Sequence, residues 1–313
     1  MSFRKAVKEQ AKLRLALSAL AGCGKTYSAL AIADEMARLI RSSGGTGKIA
    51  VIDSERGSAS LYADKFEFDV AELDSFSPLE YVAKIKEAED LGYDIIIVDS
   101  LTHAWAGKDG ALDQKDKAAE RSSSGNSWTA WRSVTPKHNA LVDALVGSKA
   151  HIIATMRQKM EHVQDVVNGK TQIKKVGLAA IQREGMEYEF TLVGDIDHTH
   201  TLKITKTRID GIDLDTQIEK PGADFARRLY TWLMSGEKPR ERSAPAPAPE
   251  PVSAALDDVF AKLLRDIESA PTIAELDRIV TGPSKPAKGT PQYDKAVAAY
   301  LARKEQIEKG AAA

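Results

Sequence analysis

The chain has 313 residues, and 44 Lys plus Arg stand against 45 Asp plus Glu, a formal net charge of −1. Hydrophobic residues at 43% and charged residues at 28% are those of an ordinary globular protein with room for one large domain and something smaller. The balance of charge excludes bulk basicity as a means of holding nucleic acid, the lone Cys23 excludes an intrachain disulfide, and no run approaches the length of a membrane span.

The first residues, MSFRKAVKEQAKLR, are basic without an apolar run leading to a cleavage site. The expectation is therefore a cytoplasmic protein in a reducing compartment, with no membrane partner. From there to about residue 240, apolar runs alternate with amphipathic segments, the pattern of βαβ units around a mainly parallel sheet. Strands are predicted at Leu13–Ser18, Ile49–Asp53, Ile95–Asp99 and His151–Thr155. The last three are almost wholly apolar, as central parallel strands are. A helix is predicted from about Thr26 to Ile40, with Ala29, Ile32, Ala33, Met36, Leu39 and Ile40 on one face. Gly44-Gly45-Thr46-Gly47 ends it.

Residues 156–180 are polar and basic and read as a loop. Two strands at Tyr188–Val193 and Thr201–Lys206, joined by a short turn, predict an antiparallel extension of the sheet. A helix at Ala223–Met234 presents Phe225, Leu229, Trp232 and Leu233. The expected division is a core at 1–240, a linker at 241–253 and a small helical module at 254–313. The Ala-Pro alternation of the linker could span about 30 Å. The module's apolar stripes are Leu256, Val259, Phe260, Leu263 and Leu264, then Ile273, Leu276, Ile279 and Val280.

The chemistry concentrates after the first strand. Ala19-Leu20-Ala21-Gly22-Cys23-Gly24-Lys25-Thr26 fits the phosphate-binding pattern G-x-x-x-x-G-K-[ST], with alanine at its first position. Such a loop wraps backbone N–H groups around phosphates at a helix N-terminus. Lys25 is the candidate for the β- and γ-phosphates of ATP, and the Thr26 hydroxyl for Mg²⁺. If the first position required a left-handed backbone, Ala19 would strain it. Asp99 ends the DIIIVDS run, where a carboxylate at the C-terminal end of a buried parallel strand holds the magnesium water shell. Glu55, just past the second strand, is placed to polarise an attacking water.

With IDSE at residues 52–55 and VDS at 98–100, the chain resembles the RecA family. The resemblance covers about residues 12–235 and implies a RecA-like P-loop fold, with Glu55 as catalytic base. It also implies that Thr155, where that family has glutamine, senses the γ-phosphate at the exit to a mobile DNA-binding loop. Lys206 and Arg208 are similar to the family's basic pair, which reaches a neighbouring subunit's ATP site, so self-association is implied. More narrowly, the chain is similar to phage-encoded recombinases and single-strand-annealing ATPases. The function this implies is ATP hydrolysis coupled to single-stranded DNA in recombination or annealing, with a single-strand-binding protein or other recombination partner. Alternatives are a helicase-class motor or loader, and a nucleotide-gated adaptor.

Other signals weigh less. His198-Thr199-His200, beside Asp195 and Asp197, looks metal-like but falls at a turn tip, where solvated polar residues are the ordinary occupants. Cys23 reads as a small loop residue rather than a reactive thiol, and Trp128 and Trp131 as helix packing rather than base stacking. Arg157, Lys159, Lys170, Lys174, Lys175 and Arg183 could track a phosphate backbone. Glu161, Asp165 and Glu184 dilute them to a solvated loop by charge alone, but the place after the fourth strand, where the RecA family keeps a DNA loop, favours DNA.

Overall fold

The continuous apolar runs become fully buried strands. In the computed structural model, which describes residues 5–121, 127–167, 170–238, 252–281 and 291–310, β1 is Arg14–Ala19, β2 Ile49–Asp53, β3 Asp69–Glu72, β4 Ile95–Asp99 and β5 His151–Val167. Then come β6 at Lys170–Ala180, β7 at Leu192–Ile196, β8 at Thr201–Thr207 and β9 at Gln217–Glu219. In space the order is β3-β2-β4-β5-β1-β7-β8-β9, with β6 paired to β5 outside that row. Every pairing from β3 to β7 is parallel, and the β7–β8, β8–β9 and β5–β6 pairs are antiparallel. This is the α/β architecture of a P-loop NTPase core.

Alternation along the strands divides the core in two. Leu15, Leu17, Ile95 and Ile97 face α1 (Lys25–Ser42) and α6 (Ala223–Met234). Ala16, Ile96 and Val98 face α2 (Pro78–Asp90) and α5 (Ser127–Gly147). The remaining helices of this part are α3 (Thr102–Ala106) and α4 (Ala111–Glu120). Helix α1 is buried on more than its predicted stripe: Leu30, Ala37 and Glu35 are buried too. An isolated carboxylate there would be costly. Glu35 instead meets Arg227 of α6 at 2.5 Å and Arg38 at 2.9 Å.

Two expectations change. Residues 156–180 are not a loop: β5 continues past Thr155 and folds back as β6, with Gln158 opposite Ala180 and Val167 opposite Lys170. The segment carries the β-branched residues Val163, Val166, Val167, Thr171, Ile173 and Val176, a strand composition that its net polarity masks. The side chains of residues 161–176, among them Glu161, Asp165, Lys170, Lys174 and Lys175, lie outside the described residues, as does that of Trp128. The predicted strand at Tyr188–Val193 begins later, because Met186–Glu189 forms a 3₁₀ turn ahead of β7.

Contacts divide the chain into two compact units, Met1–Pro239 and Arg240–Ala313. The second contains α7 (Val252–Ser269), α8 (Ile273–Thr281) and α9 (Pro291–Gly310), with a core of Leu263, Ile267, Ala270, Leu276 and Ala296. Most of the Ala-Pro stretch, and the side chains of Leu256 and Val259, lie outside the described residues. Among the described residues no helix is long and apolar enough to cross a membrane.

At the N-terminal edge of the sheet, the buried Arg14 donates to Val146 O, Ala150 O and Leu13 O, and to Ser148 O, closing the end of α5. Burial lowers its pKa to about 10. His151, 1% exposed, accepts the Leu13 N–H at Nδ1, 3.0 Å away. Burial, then the Lys12 and Arg14 charges, push the imidazole down to about 3 from its ordinary 6.5. Between those values the unfolded chain holds a proton that the folded one refuses. The stability His151 contributes is complete above about pH 6.5 and lost as pH falls toward about 3. His151→Asn keeps an acceptor near the Nδ1 position but takes no proton. It is expected to flatten the stability–pH slope by up to about 1.4 kcal/mol per pH unit across that window. Urea unfolding at several pH values measures this, and a slope equal to wild type would remove His151 as the cause.

Candidate nucleotide site

Ala19 is the last residue of β1, fully buried and paired with Arg157 of β5 and Ile196 of β7. It has no positive φ, so glycine is not required there and the alanine carries no strain. The left-handed turns come later, at Gly22 (φ 81°) and Gly24 (φ 89°). Gly24 is the N-cap of α1 and offers no side-chain cap, and no acidic residue occupies the first turn. The N–H groups that open α1 therefore have no side-chain acceptor, the condition under which a helix N-terminus takes an anion. Lys25 Nζ folds back on this loop, 3.3 Å from Ala19 O and 3.1 Å from Leu20 O. Burial lowers its pKa, against the pull of Asp99 and Glu55.

Strand β4 is not beside β1; β5 lies between them. One buried carboxylate spans that gap. Asp99 accepts from Thr26 Oγ1 at 2.6 Å through Oδ2, and from Thr155 Oγ1 through Oδ1. Asp99 is 1% exposed, and burial raises its pKa, against the two hydroxyl donors, which lower it. The hydroxyl of Thr155 is thus engaged with Asp99 rather than open toward the phosphate loop.

Glu55 owes its place to Asp53. The Asp53 carboxylate accepts the N–H groups of Glu55 (2.5 Å) and Gly57 (2.8 Å), bending residues 54–57 into a turn at the end of β2. Ser54 fastens that turn to β4: its N–H donates to Asp99 O, and its hydroxyl reaches Ser100 O at 3.0 Å and His103 Nδ1 at 2.8 Å. The Glu55 carboxylate meets Arg157 of β5 in a two-pronged ion pair, Oε1 to Nε at 2.8 Å and Oε2 to Nη2. Burial would raise the Glu55 carboxyl, but the hydrogen bonds and charge of Arg157 outweigh it and hold the pKa below its ordinary value.

Beside the loop lies a cavity of about 610 Å³, lined by Thr26, Tyr27, Tyr62, His200 and Lys220 among others. His200 was expected to be a solvated turn residue. Asp197 shapes that turn by accepting the N–H groups of Thr199 and Thr201, and His200 is exposed there as expected, yet its Nδ1 lies 3.0 Å from Cys23 O of the phosphate loop. The only sequence signal for this was the shortness of the β7–β8 turn, which brings its tip to the C-terminal end of the sheet. Arg157 was expected only as a possible phosphate-backbone contact, and His103 was not among the predicted site residues. Trp131 stacks on Trp105 at 5.6 Å.

Lys206 and Arg208 do not join this site. β8 runs antiparallel to β7, so Thr207 lies opposite Leu192, at the end of the sheet away from the P-loop. Lys206 Nζ donates to Glu187 O, Tyr188 O and Phe190 O, and Arg208 Nη2 to Tyr188 O. Carbonyls at the end of the 3₁₀ turn thus face the two cations.

Residues 11–220 match the family model described as an AAA domain. The chain belongs to that family. No curated protein matches it. An AAA domain is a P-loop ATPase domain, which implies a nucleotide and the magnesium that accompanies it. The donor set fits that ion. The Thr26 hydroxyl and Asp99 carboxylate stand 2.6 Å apart at adjoining element ends. Among the described residues no group of three or more His, Cys, Asp or Glu forms an all-protein metal cage. Mg²⁺ characteristically takes one or two protein oxygens and completes its shell with water and phosphate.

Gly24→Ala tests the AAA domain's loop directly. A Cβ there would lie 3.0 Å from His200 Nδ1 on a backbone of φ 89°. The left-handed alanine alone costs about 1–2 kcal/mol. The variant is expected to remain folded and lose ATP binding by calorimetry; unchanged affinity would mean that the loop does not need this turn.

Proposed function

We propose that this chain hydrolyses ATP at residues 19–26, with Glu55 as general base, and that single-stranded DNA is its second ligand, engaged by the β5–β6 arm. The observation that carries the first half is the Thr26–Asp99 hydrogen bond beside the uncapped, glycine-turned start of α1. Lys25 would leave the Ala19 and Leu20 carbonyls for the terminal phosphates, and Thr26 and Asp99 would hold Mg²⁺. When bound, that ion neutralises charge on the phosphates. Glu55 lies across the same cleft, within electrostatic reach of Lys25, where a carboxylate can orient a water.

Support for a nucleic-acid ligand comes from the arm. β5 continues from the site into the β5–β6 hairpin, with one shift of register at Glu161/His162, and a cleft of about 630 Å³ at its base is lined by Trp105, Gln158, Lys159 and Arg183, among others. A flat aromatic ring beside cations suits stacked bases on a phosphate backbone. Recombination or annealing is the role we favour for such an ATPase. In a single chain Lys206 and Arg208 lie away from the loop, so any role at a nucleotide would fall at a neighbouring copy's site.

Lys25→Ala is expected to abolish ATP binding. Glu55→Gln should bind ATP normally and turn it over roughly 10²–10⁴-fold more slowly. Wild-type turnover in Glu55→Gln would refute the base assignment.

Single-stranded DNA should raise the ATPase rate, and neutralising Lys170, Lys174 and Lys175 together should weaken DNA binding without changing the DNA-free rate. Each lost phosphate contact would reduce the slope of log K against log salt by about 0.7. Unwinding of a forked duplex would instead favour a motor. Hydrolysis indifferent to DNA would favour an adaptor.

A further inference from the structure

The residue proposed to activate water is already occupied. Both Glu55 oxygens are held by one guanidinium, the geometry in which a carboxylate is least able to accept a proton or turn toward a water. The partner, Arg157, stands at a junction. It is the last residue of β5 in parallel register with β1, opposite Ala19, and its carbonyl accepts the Ile181 N–H at 2.7 Å where the arm returns. The next residue, Gln158, begins the antiparallel pairing with β6. The Arg157 side chain is 46% exposed, whereas that of Glu55 is 17% exposed, so the cation can be reached from outside while the acid is shielded.

We infer that Arg157 is a positioning residue that withholds Glu55 from catalysis until a phosphate takes its guanidinium. The inference deepens the ATPase reading and rests on it. An arginine prefers a phosphate dianion to a carboxylate of equal access, because the bidentate geometry is the same and the charge is greater. Two phosphates are candidates. One is the γ-phosphate of the nucleotide, from the side of Lys25, which carries the greater charge. The other is a nucleic-acid phosphodiester, from the side of Lys159 and Arg183, a monoanion that competes through its forked oxygens and its neighbouring cations rather than through charge. Release of Arg157 leaves Glu55 facing Lys25 of α1 and His103 of α3, with Asp53 behind it in β2, Asp99 in β4 and the Tyr81 hydroxyl of α2 nearby. Of these the two cationic or titratable nitrogens are weaker holds than the two-pronged arginine, so the freed carboxylate regains basicity.

The test uses the full chain and three variants. Arg157→Gln is expected to raise kcat severalfold in the absence of DNA with KM little changed, and to remove most of any stimulation by DNA. Arg157→Lys, which keeps the charge and loses the fork, should fall between it and wild type, and Glu55→Gln combined with Arg157→Gln should be inactive. A readout independent of turnover is the ¹³C signal of the Glu55 side-chain carboxyl, assigned by its loss in Glu55→Gln. Without ligand it should titrate below the ordinary glutamate range in wild type and within that range in Arg157→Gln. Addition of a non-hydrolysable ATP analogue, or separately of an oligothymidylate, should move the wild-type signal to the Arg157→Gln position, and the ligand that does so identifies the phosphate. Arg157→Gln with reduced kcat and unchanged KM, or a Glu55 signal that neither ligand moves, would overturn the inference. Absence of ATP hydrolysis in the wild-type chain as well as in Arg157→Gln, although the Glu55 signal of the variant has risen, would uphold the hold on Glu55 and overturn only the ATPase reading.

Discussion

The site depends on one buried carboxylate. Asp99 sits at the end of β4, one strand removed from β1, and with Thr26 and Thr155 it spans three elements that the chain supplies from far apart. Burial without those donors would drive it toward the neutral acid. Two hydroxyls offset part of that penalty, and the Lys25 ammonium lies within electrostatic reach. The same contacts fix the start of α1 relative to β4 and β5. Fold and chemistry are therefore not separable here: the group that suits magnesium also sets the spacing of the strands around it.

Around that carboxylate the chain uses short polar contacts to place each functional group. Asp53 bends the backbone so that Glu55 emerges at the cleft, and Ser54 fastens that turn to Ser100 and His103. His200 does the same for the phosphate loop through Cys23 O. These contacts come from residues that carry no chemistry of their own in the proposed reaction, and each ties a loop at the C-terminal end of one strand to its neighbour. The opposite end of the sheet is held differently, by the buried Arg14 and His151 on backbone groups.

Much of this could be read before any coordinates. Ile49–Asp53, Ile95–Asp99 and Ala223–Met234 match the observed elements residue for residue, because an unbroken apolar run or a clean 3.6-residue stripe leaves little choice of structure. Asp99, which ends β4, and Glu55, two residues past the end of β2, stood out for the same reason, since the limits of both strands were clear. What escaped were relations between distant segments. The β5–β6 hairpin hid because its β-branched residues are irregularly spaced among polar ones, so no period of two marks it. His200 and Arg157 lie 177 and 102 positions from the groups they touch, and no local pattern encodes such a meeting. Glu35 broke the apolar stripe of α1 in a way that made sense only once Arg227 stood opposite.

β5 is a single strand of seventeen residues, of which the first part is the centre of the sheet and the remainder is an arm paired only with β6. No turn or glycine interrupts it at Arg157; the first irregularity is a shift of register between Glu161 and His162, where Gly177 stands opposite Glu161. A ligand that twists the arm must either bend a hydrogen-bonded ribbon over its length or rotate the peptide planes at the root, which belong to the central ladder. The central strand and the arm are thus one continuous backbone, so a change of twist in the arm would reach Arg157 through the strand that carries it.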